Sequence, residues 1–393
     1  MKNLIAIVIM LTLANSAWAV QNIKLATVDI NPYAGINQSY DSNIYLKDTA
    51  LKSSHINRTT LGVDVLNKFG SKLELGGGYA LEQLTYSRSG SINDATHHSL
   101  SLNLKAKLPR DASLKFNDKF LDTTDQATSE YTERAQRVQN TALVKMEAPL
   151  RGKFGYSIDV QHNYNNYKAL AYDALDRAEL LAGFNVTYLL QPKTKVFVGY
   201  TYGDLRYDKT VSAANDATYN NVDLGVTGKL APKLVGVVKA GAQFRNYDTA
   251  LVSGGVTAKD ESTLANYSAQ LQWTALEKTE VIVFARRANV ETNGTASRYY
   301  TSTLTDISAS REVRKIKVGV GFSFEDVAYP EAISSASAKK RFDHNTNLRL
   351  SADYNVQKWL KATLAYAYKN RSSNESANDY KDNVIGLQLK GMF

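Results

Sequence analysis

"NDYKDNVIGLQLKGMF" (Asn378–Phe393) closes the sequence, and its last ten residues alternate. Ile385, Leu387, Leu389, Gly391 and Phe393 fall on one parity, Gly386, Gln388 and Lys390 on the other. A period of two marks a β-strand with one apolar and one polar face. A strand running out to a bare aromatic leaves an open edge unless it pairs elsewhere in the same chain. The first strand is the partner that abolishes the edge.

The alternation recurs upstream. "SLSLNLKAKL" sets Leu100, Leu102 and Leu104 against Ser101, Asn103, Lys105 and Lys107. "KIKVGVGFSFE" and "NLRLSADY" repeat it. About eighteen such segments can be drawn, the first over 32–42, the sixth over 133–148 and the last over 379–393. The thirteenth, 279–291, does not reveal its outward parity, and the fourteenth, 298–310, is the least regular. Tight turns ("LPRDA", "LQPKT", "LAPKL") alternate with longer polar connections ("NIYLKDTALKSS", "TALVSGGVTAKDE", "AYPEAISSASAKK"). Every tight turn carries a base: Lys68, Arg110, Arg151, Lys193, Lys233, Lys278, Arg314 and Lys358. Gly76–Gly78 reads as a bend or bulge.

Soluble strands average about 5–6 residues. These are longer, and a tilted bilayer crossing needs about 9–11. Lipid tolerates only a sheet that closes on itself. The expected fold is therefore all-β, a transmembrane antiparallel up-and-down β-barrel of about eighteen strands, preferred over a soluble sandwich. Both ends then lie on the periplasmic side, with the long loops outside.

The N-terminus agrees. Lys2, the apolar run "LIAIVIMLTLA" and "SAWA" form a signal peptide over 1–19, cut after Ala19. Residues 20–393 then make one outer-membrane barrel domain of a Gram-negative cell. The formal charge of +9 becomes +8 without Lys2. It is spread along the chain, so no nucleic-acid partner is expected. There is no cysteine.

Tyrosines crowd the strand ends beside the long loops: Tyr40, Tyr86, Tyr131, Tyr164, Tyr167, Tyr207, Tyr219, Tyr247, Tyr299, Tyr300, Tyr329 and Tyr380. Trp273 and Trp359 flank tight turns. Both sets read as belts at the membrane–water interfaces.

A barrel of this size leaves an aqueous channel. The polar parity carries Arg58, Lys105, Lys115, Lys119, Arg137, Lys239, Arg245, Arg349 and Lys369 as candidate lumen-lining bases. Glu74, Glu82, Asp223, Asp306, Glu325 and Asp353 share that face. Such bases favour anions, or they pair with acids on neighbouring strands. His97 and His98 are adjacent, so they point to opposite faces and cannot share a metal. No catalytic, cofactor or metal site is expected, and the chain does not read as an enzyme.

"NPYAGINQSYDSNIY" (31–45), "SRYYTSTLTDISAS" (297–310) and the segment from Arg341 to Phe393 resemble the Putative β-barrel porin 2 family, and the resemblance runs over nearly the whole chain. It implies an outer-membrane protein, and in many members an association with exopolysaccharide or capsule synthesis and export. It carries over no site residues. "VIGLQLKGMF" also resembles the assembly signal of bacterial outer-membrane barrels, with Phe393 in the terminal position. The resulting expectation is a conduit for a surface polysaccharide. The alternatives are a general or small-solute diffusion porin and a closed structural or adhesive barrel. The partners implied are outer-membrane lipid, the barrel-assembly machinery, an anionic polysaccharide and periplasmic export components.

Overall fold

A computed structural model describes residues 23–128, 130, 133–250, 252–253, 256–292, 297–334 and 337–393. The signal-peptide reading over 1–19 and Tyr131 lie outside these residues. Eighteen long strands run through the described residues. The first six are β1 (Val28–Asp41), β2 (Ser54–Phe69), β3 (Leu73–Tyr86), β4 (Ala95–Lys107), β5 (Ser113–Thr123) and β6 (Arg137–Pro149). The next six are β7 (Phe154–Tyr167), β8 (Arg177–Gln191), β9 (Thr194–Tyr207), β10 (Ala217–Ala231), β11 (Leu234–Tyr247) and β12 (Glu261–Leu276). The last are β13 (Thr279–Glu291), β14 (Tyr299–Val313), β15 (Ile316–Ser334), β16 (Ser337–Asn355), β17 (Leu360–Ser373) and β18 (Tyr380–Met392).

Each strand pairs antiparallel with the next. β18 closes the sheet onto β1, from Tyr33 opposite Met392 to Asp41 opposite Val384. A short segment, Ile23–Leu25, folds back on the start of β1. The terminal strand is therefore not an edge, which is how a barrel satisfies every backbone group without water.

Several boundaries correct the sequence reading. β1 starts at Val28 rather than 32, and β6 at Arg137 rather than 133. β15 runs on to Ser334 and β16 begins at Ser337, both inside "AYPEAISSASAKK", with register shifts beyond Ala328. Backbone pairing above an apolar belt needs no alternation, so that extension leaves no period-2 signal. β14 pairs regularly with β13 from Thr279 opposite Arg311 to Glu291 opposite Tyr299. Gly76–Gly78 forms no bulge, because the ladder to β2 runs through it unbroken. A Cβ at Gly78 would lie 2.4 Å from Asp64 Oδ1, so glycine there makes room for a neighbouring carboxylate. Arg110, Lys233, Lys278 and Arg314 sit in the left-handed region at tight turns, with φ of 58°, 62°, 63° and 56°.

The outward face is apolar. Leu61, Leu100, Leu102, Val144, Ile158, Phe184, Leu224, Phe322, Leu364 and Leu387 are all exposed there. Water does not sustain such a continuous belt, whereas a bilayer covers it. Asp118 interrupts it. It stands opposite Leu102 and Ala142, and Asn140 Nδ2 donates to its carboxylate at 2.7 Å. An acid on a lipid face costs less than the roughly 2–4 kcal/mol of a mid-bilayer base. Asp118→Leu is expected to stabilise the barrel by about 1–2 kcal/mol, read from urea unfolding out of phospholipid vesicles. A lower midpoint in the variant would show that Asp118 does not meet lipid.

Candidate functional site

The inward parity forms the lumen wall, and one connection crosses the bore. The described residues of the connection between β5 and β6 (124–128, 130 and 133–136) fold inward and are tied at several points. Arg58 Nη2 donates to Asp125 Oδ1 at 3.2 Å, while its Nη1 donates to Glu82 at 2.7 Å. The Thr124 N–H donates to His97 Nε2 at 3.0 Å. Arg137, 3 % exposed, donates from Nη1 to the Asp125 carbonyl and from Nη2 to the Gln126 carbonyl at 3.2 Å. Arg134 Nε donates to the Ile44 carbonyl at 3.2 Å, and its guanidinium lies over the Tyr86 ring at 5.5 Å. On the far side, Thr292 Oγ1 donates to Glu130 Oε1 at 2.6 Å. Arg58 and Tyr86 belong to β2 and β3, and Thr292 follows β13, so the loop spans opposite walls. Burial pushes the Asp125 carboxyl up, but Arg58 outweighs it and holds the group below its ordinary range.

The loop borders two cavities. One, of about 940 Å³, is lined by Asp125 and Arg134 of the loop, Arg58 of β2, and Arg349 and Lys369 of β16 and β17. The other, of about 810 Å³, is lined by Ala127 and Thr128 of the loop and by Lys119, Arg177, Arg286 and Glu179. Amides such as Gln139, Asn163, Asn165 and Gln243 complete the second. Hydroxyls, amides and mixed charges of this kind can replace water around a hydroxylated solute.

Six of the nine candidate bases are held in ion pairs. Arg58 meets Glu82 and Asp125. Lys105 meets Glu74 at 2.9 Å, Lys239 meets Asp223 at 2.7 Å, and Lys369 meets Asp382 at 3.5 Å. Arg349 grips both oxygens of Asp306, at 2.8 and 2.7 Å. Arg245 pairs with Glu291 in a buried site. Arg137 holds loop carbonyls instead. Lys115 and Lys119 have no carboxylate within ion-pair reach among the described residues.

Sequence reasoning missed Arg134, Asp125, Arg177 and Arg286. The first two lie in a polar loop without periodicity. Arg286 sits on the strand of unread parity. Register settles that parity: Phe284 stands opposite Asp306 and Gln270, so the even residues of β13 face inward.

The tyrosine belt expected outside is largely corrected. Tyr86, Tyr167, Tyr207, Tyr219, Tyr247, Tyr300, Tyr329 and Tyr380 are buried, on the inward parity of the strand ends. Most carry an arginine on the ring face: Arg245 over Tyr219 at 4.7 Å, Arg298 over Tyr247 at 4.5 Å, Arg341 over Tyr329 and Arg371 over Tyr380 at 4.9 Å. The rings form a cation–π collar that braces the wide mouth from within. Among the described tyrosines of the expected belt, Tyr40 alone is exposed. Tyr164 lines the second cavity, and Tyr299 stacks on Tyr247 at 6.3 Å. At the tight-turn end Phe393 stacks on Trp359 at 5.9 Å, and its N–H donates to the Pro32 carbonyl at 2.9 Å.

Comparison with known proteins agrees with this architecture. The family profile described as Putative beta-barrel porin 2 matches residues 27–393. No curated protein matches the sequence. Among solved structures, the outer membrane protein OpdK from Pseudomonas aeruginosa aligns with a TM-score of 0.50 at 9 % identity, over 93 % of this chain and 99 % of that one. OmpT of Vibrio cholerae aligns with a TM-score of 0.41 at 13 % identity, over 95 % and 100 %. At such identities the likeness to OpdK is one of fold.

Proposed function

We propose, from the premise that the chain belongs to the Putative beta-barrel porin 2 family, that this outer-membrane channel passes an anionic surface saccharide, with the described residues of the β5–β6 connection (124–128, 130 and 133–136) as its constriction. The observation that carries this reading is a lumen of amides and hydroxyls whose unpaired charge, among the described residues, is basic, as at Lys115, Lys119 and Arg286. Many of the other charges are neutralised by neighbours, so the residual field that a solute meets is positive, with Lys115 and Lys119 among its sources. A polymer needs the loop to swing aside. A single hydroxylated anion fits the two cavities with the loop in place, and that observation favours small-solute diffusion as the second reading. Phe393, stacked on Trp359, is well placed to serve as the assembly signal.

The experiment is single-channel conductance of the refolded chain in planar bilayers, with reversal potential in a KCl gradient. An anion-selective conductance blocked by acidic polysaccharide fragments is the expected result. Conductance without block, together with liposome swelling in neutral sugars, would establish the small-solute porin. A silent barrel at every voltage would overturn both readings.

A further inference from the structure

One row of the lumen wall sets three bases side by side. Lys105 of β4 stands directly opposite Lys115 of β5, and Lys115 directly opposite Lys145 of β6. All three lie on the inward parity. Directly opposed residues hold their Cβ atoms about 4.5–5.5 Å apart, and like charges so placed repel. The outer two turn to acids: Lys105 Nζ lies 2.9 Å from Glu74, and Lys145 Nζ 3.0 Å from Glu147. Lys115 has no carboxylate within ion-pair distance among the described residues, Glu147 being gripped by Lys145 and only within longer electrostatic reach, and it is exposed to the bore. Asn117 and Lys119 continue the same face, and Lys119 borders the second cavity. Several other lumen bases meet a carboxylate, as Arg349 meets Asp306 and Lys361 meets Asp353.

We propose that Lys115, flanked by Lys105 and Lys145, is a binding site for an anionic oxygen group, a carboxylate or phosphate ester of the solute, at the tight-turn end of the channel. The site lies there because β4 ends at Lys107 and β5 begins at Ser113 around the tight turn. An ammonium presents three donors as a compact point charge, which suits such oxygens. Lys119 then receives the group on its way to the second cavity. This site rests on the anion-channel reading above, and deepens it.

The test uses the whole folded chain, with inorganic tripolyphosphate and oligogalacturonate as separate probes on the tight-turn side. Each charge-assisted hydrogen bond contributes about 1.5–3 kcal/mol, so Lys115→Gln is expected to weaken block about tenfold or more. Block by one probe only identifies phosphate or carboxylate as the preferred group. A rise in melting midpoint with the effective probe, seen in detergent and lost in Lys115→Gln, reads the site without any current. A silent wild type would therefore sink the channel reading and leave the site decided by the midpoint. Equal block and equal midpoint shifts in wild type and Lys115→Gln would overturn the site.

Discussion

Arg137→Ala is expected to release the constriction and give a larger, flickering conductance. The guanidinium is buried and donates to two loop carbonyls, those of Asp125 and Gln126. Its removal leaves both acceptors without their donor. Hydrogen bonds to charged groups contribute about 1.5–3 kcal/mol each, so docking of the Asp125–Gln126 stretch weakens by about 3 kcal/mol. That is roughly a hundredfold shift toward the released loop. Arg137→Lys should not restore the wild-type trace, because an ammonium cannot fork to both carbonyls as a guanidinium does. A trace indistinguishable from wild type in a normally folded Arg137→Ala barrel would show that this loop does not limit the current.

The same loop has an acid limb. Asp125 faces Arg58, His97 and Arg134. Its carboxyl titrates below the ordinary 3.8 in the folded chain, so its contribution is complete at neutral pH. The contribution fades only as pH falls through that lowered value. Its two side chains are 31 % and 49 % exposed, so screening leaves the Arg58–Asp125 pair about 1 kcal/mol at most. Acid opening should therefore be modest beside the Arg137→Ala effect, and absent from Asp125→Asn.

The second large effect belongs to the barrel wall. Glu291→Ala is expected to cost about 3–5 kcal/mol of stability, because it strands Arg245 as a buried cation. The Arg245 side chain is 3 % exposed and that of Glu291 10 %. Arg245 also lies over the rings of Tyr219 and Tyr247, which hold it away from water. The double variant Arg245→Met, Glu291→Leu should recover most of the loss, since two apolar side chains replace a desolvated pair at little net cost. Urea unfolding of the refolded barrels distinguishes the cases. Equal destabilisation of the single and double variants would mean that the site depends on the tyrosine stacking rather than on the ion pair.

These two sites show where sequence reading stopped. Arg137 and Arg245 were legible as inward bases, because period-2 parity assigns a face to every residue of a strand. Their tasks were not. Arg137 serves a loop that begins at its own strand end, and Arg245 serves Glu291 forty-six residues away. The collar tyrosines were legible as strand-end residues. Inward and outward rings look alike there, because above the belt both faces are polar.

The sequence by itself determined the barrel: strand number, closure through β18 and β1, and the faces that meet lipid and lumen. Lipid imposes one apolar face on every crossing, and that constraint is written locally, two residues at a time. The tertiary structure alone decided which bases are neutralised, which stand without an ion pair, and that the described part of the β5–β6 connection crosses the bore. Those outcomes depend on register between strands and on contacts such as Glu130 to Thr292, which join residues 162 positions apart. No local pattern encodes such a contact, because it exists only once the sheet has closed.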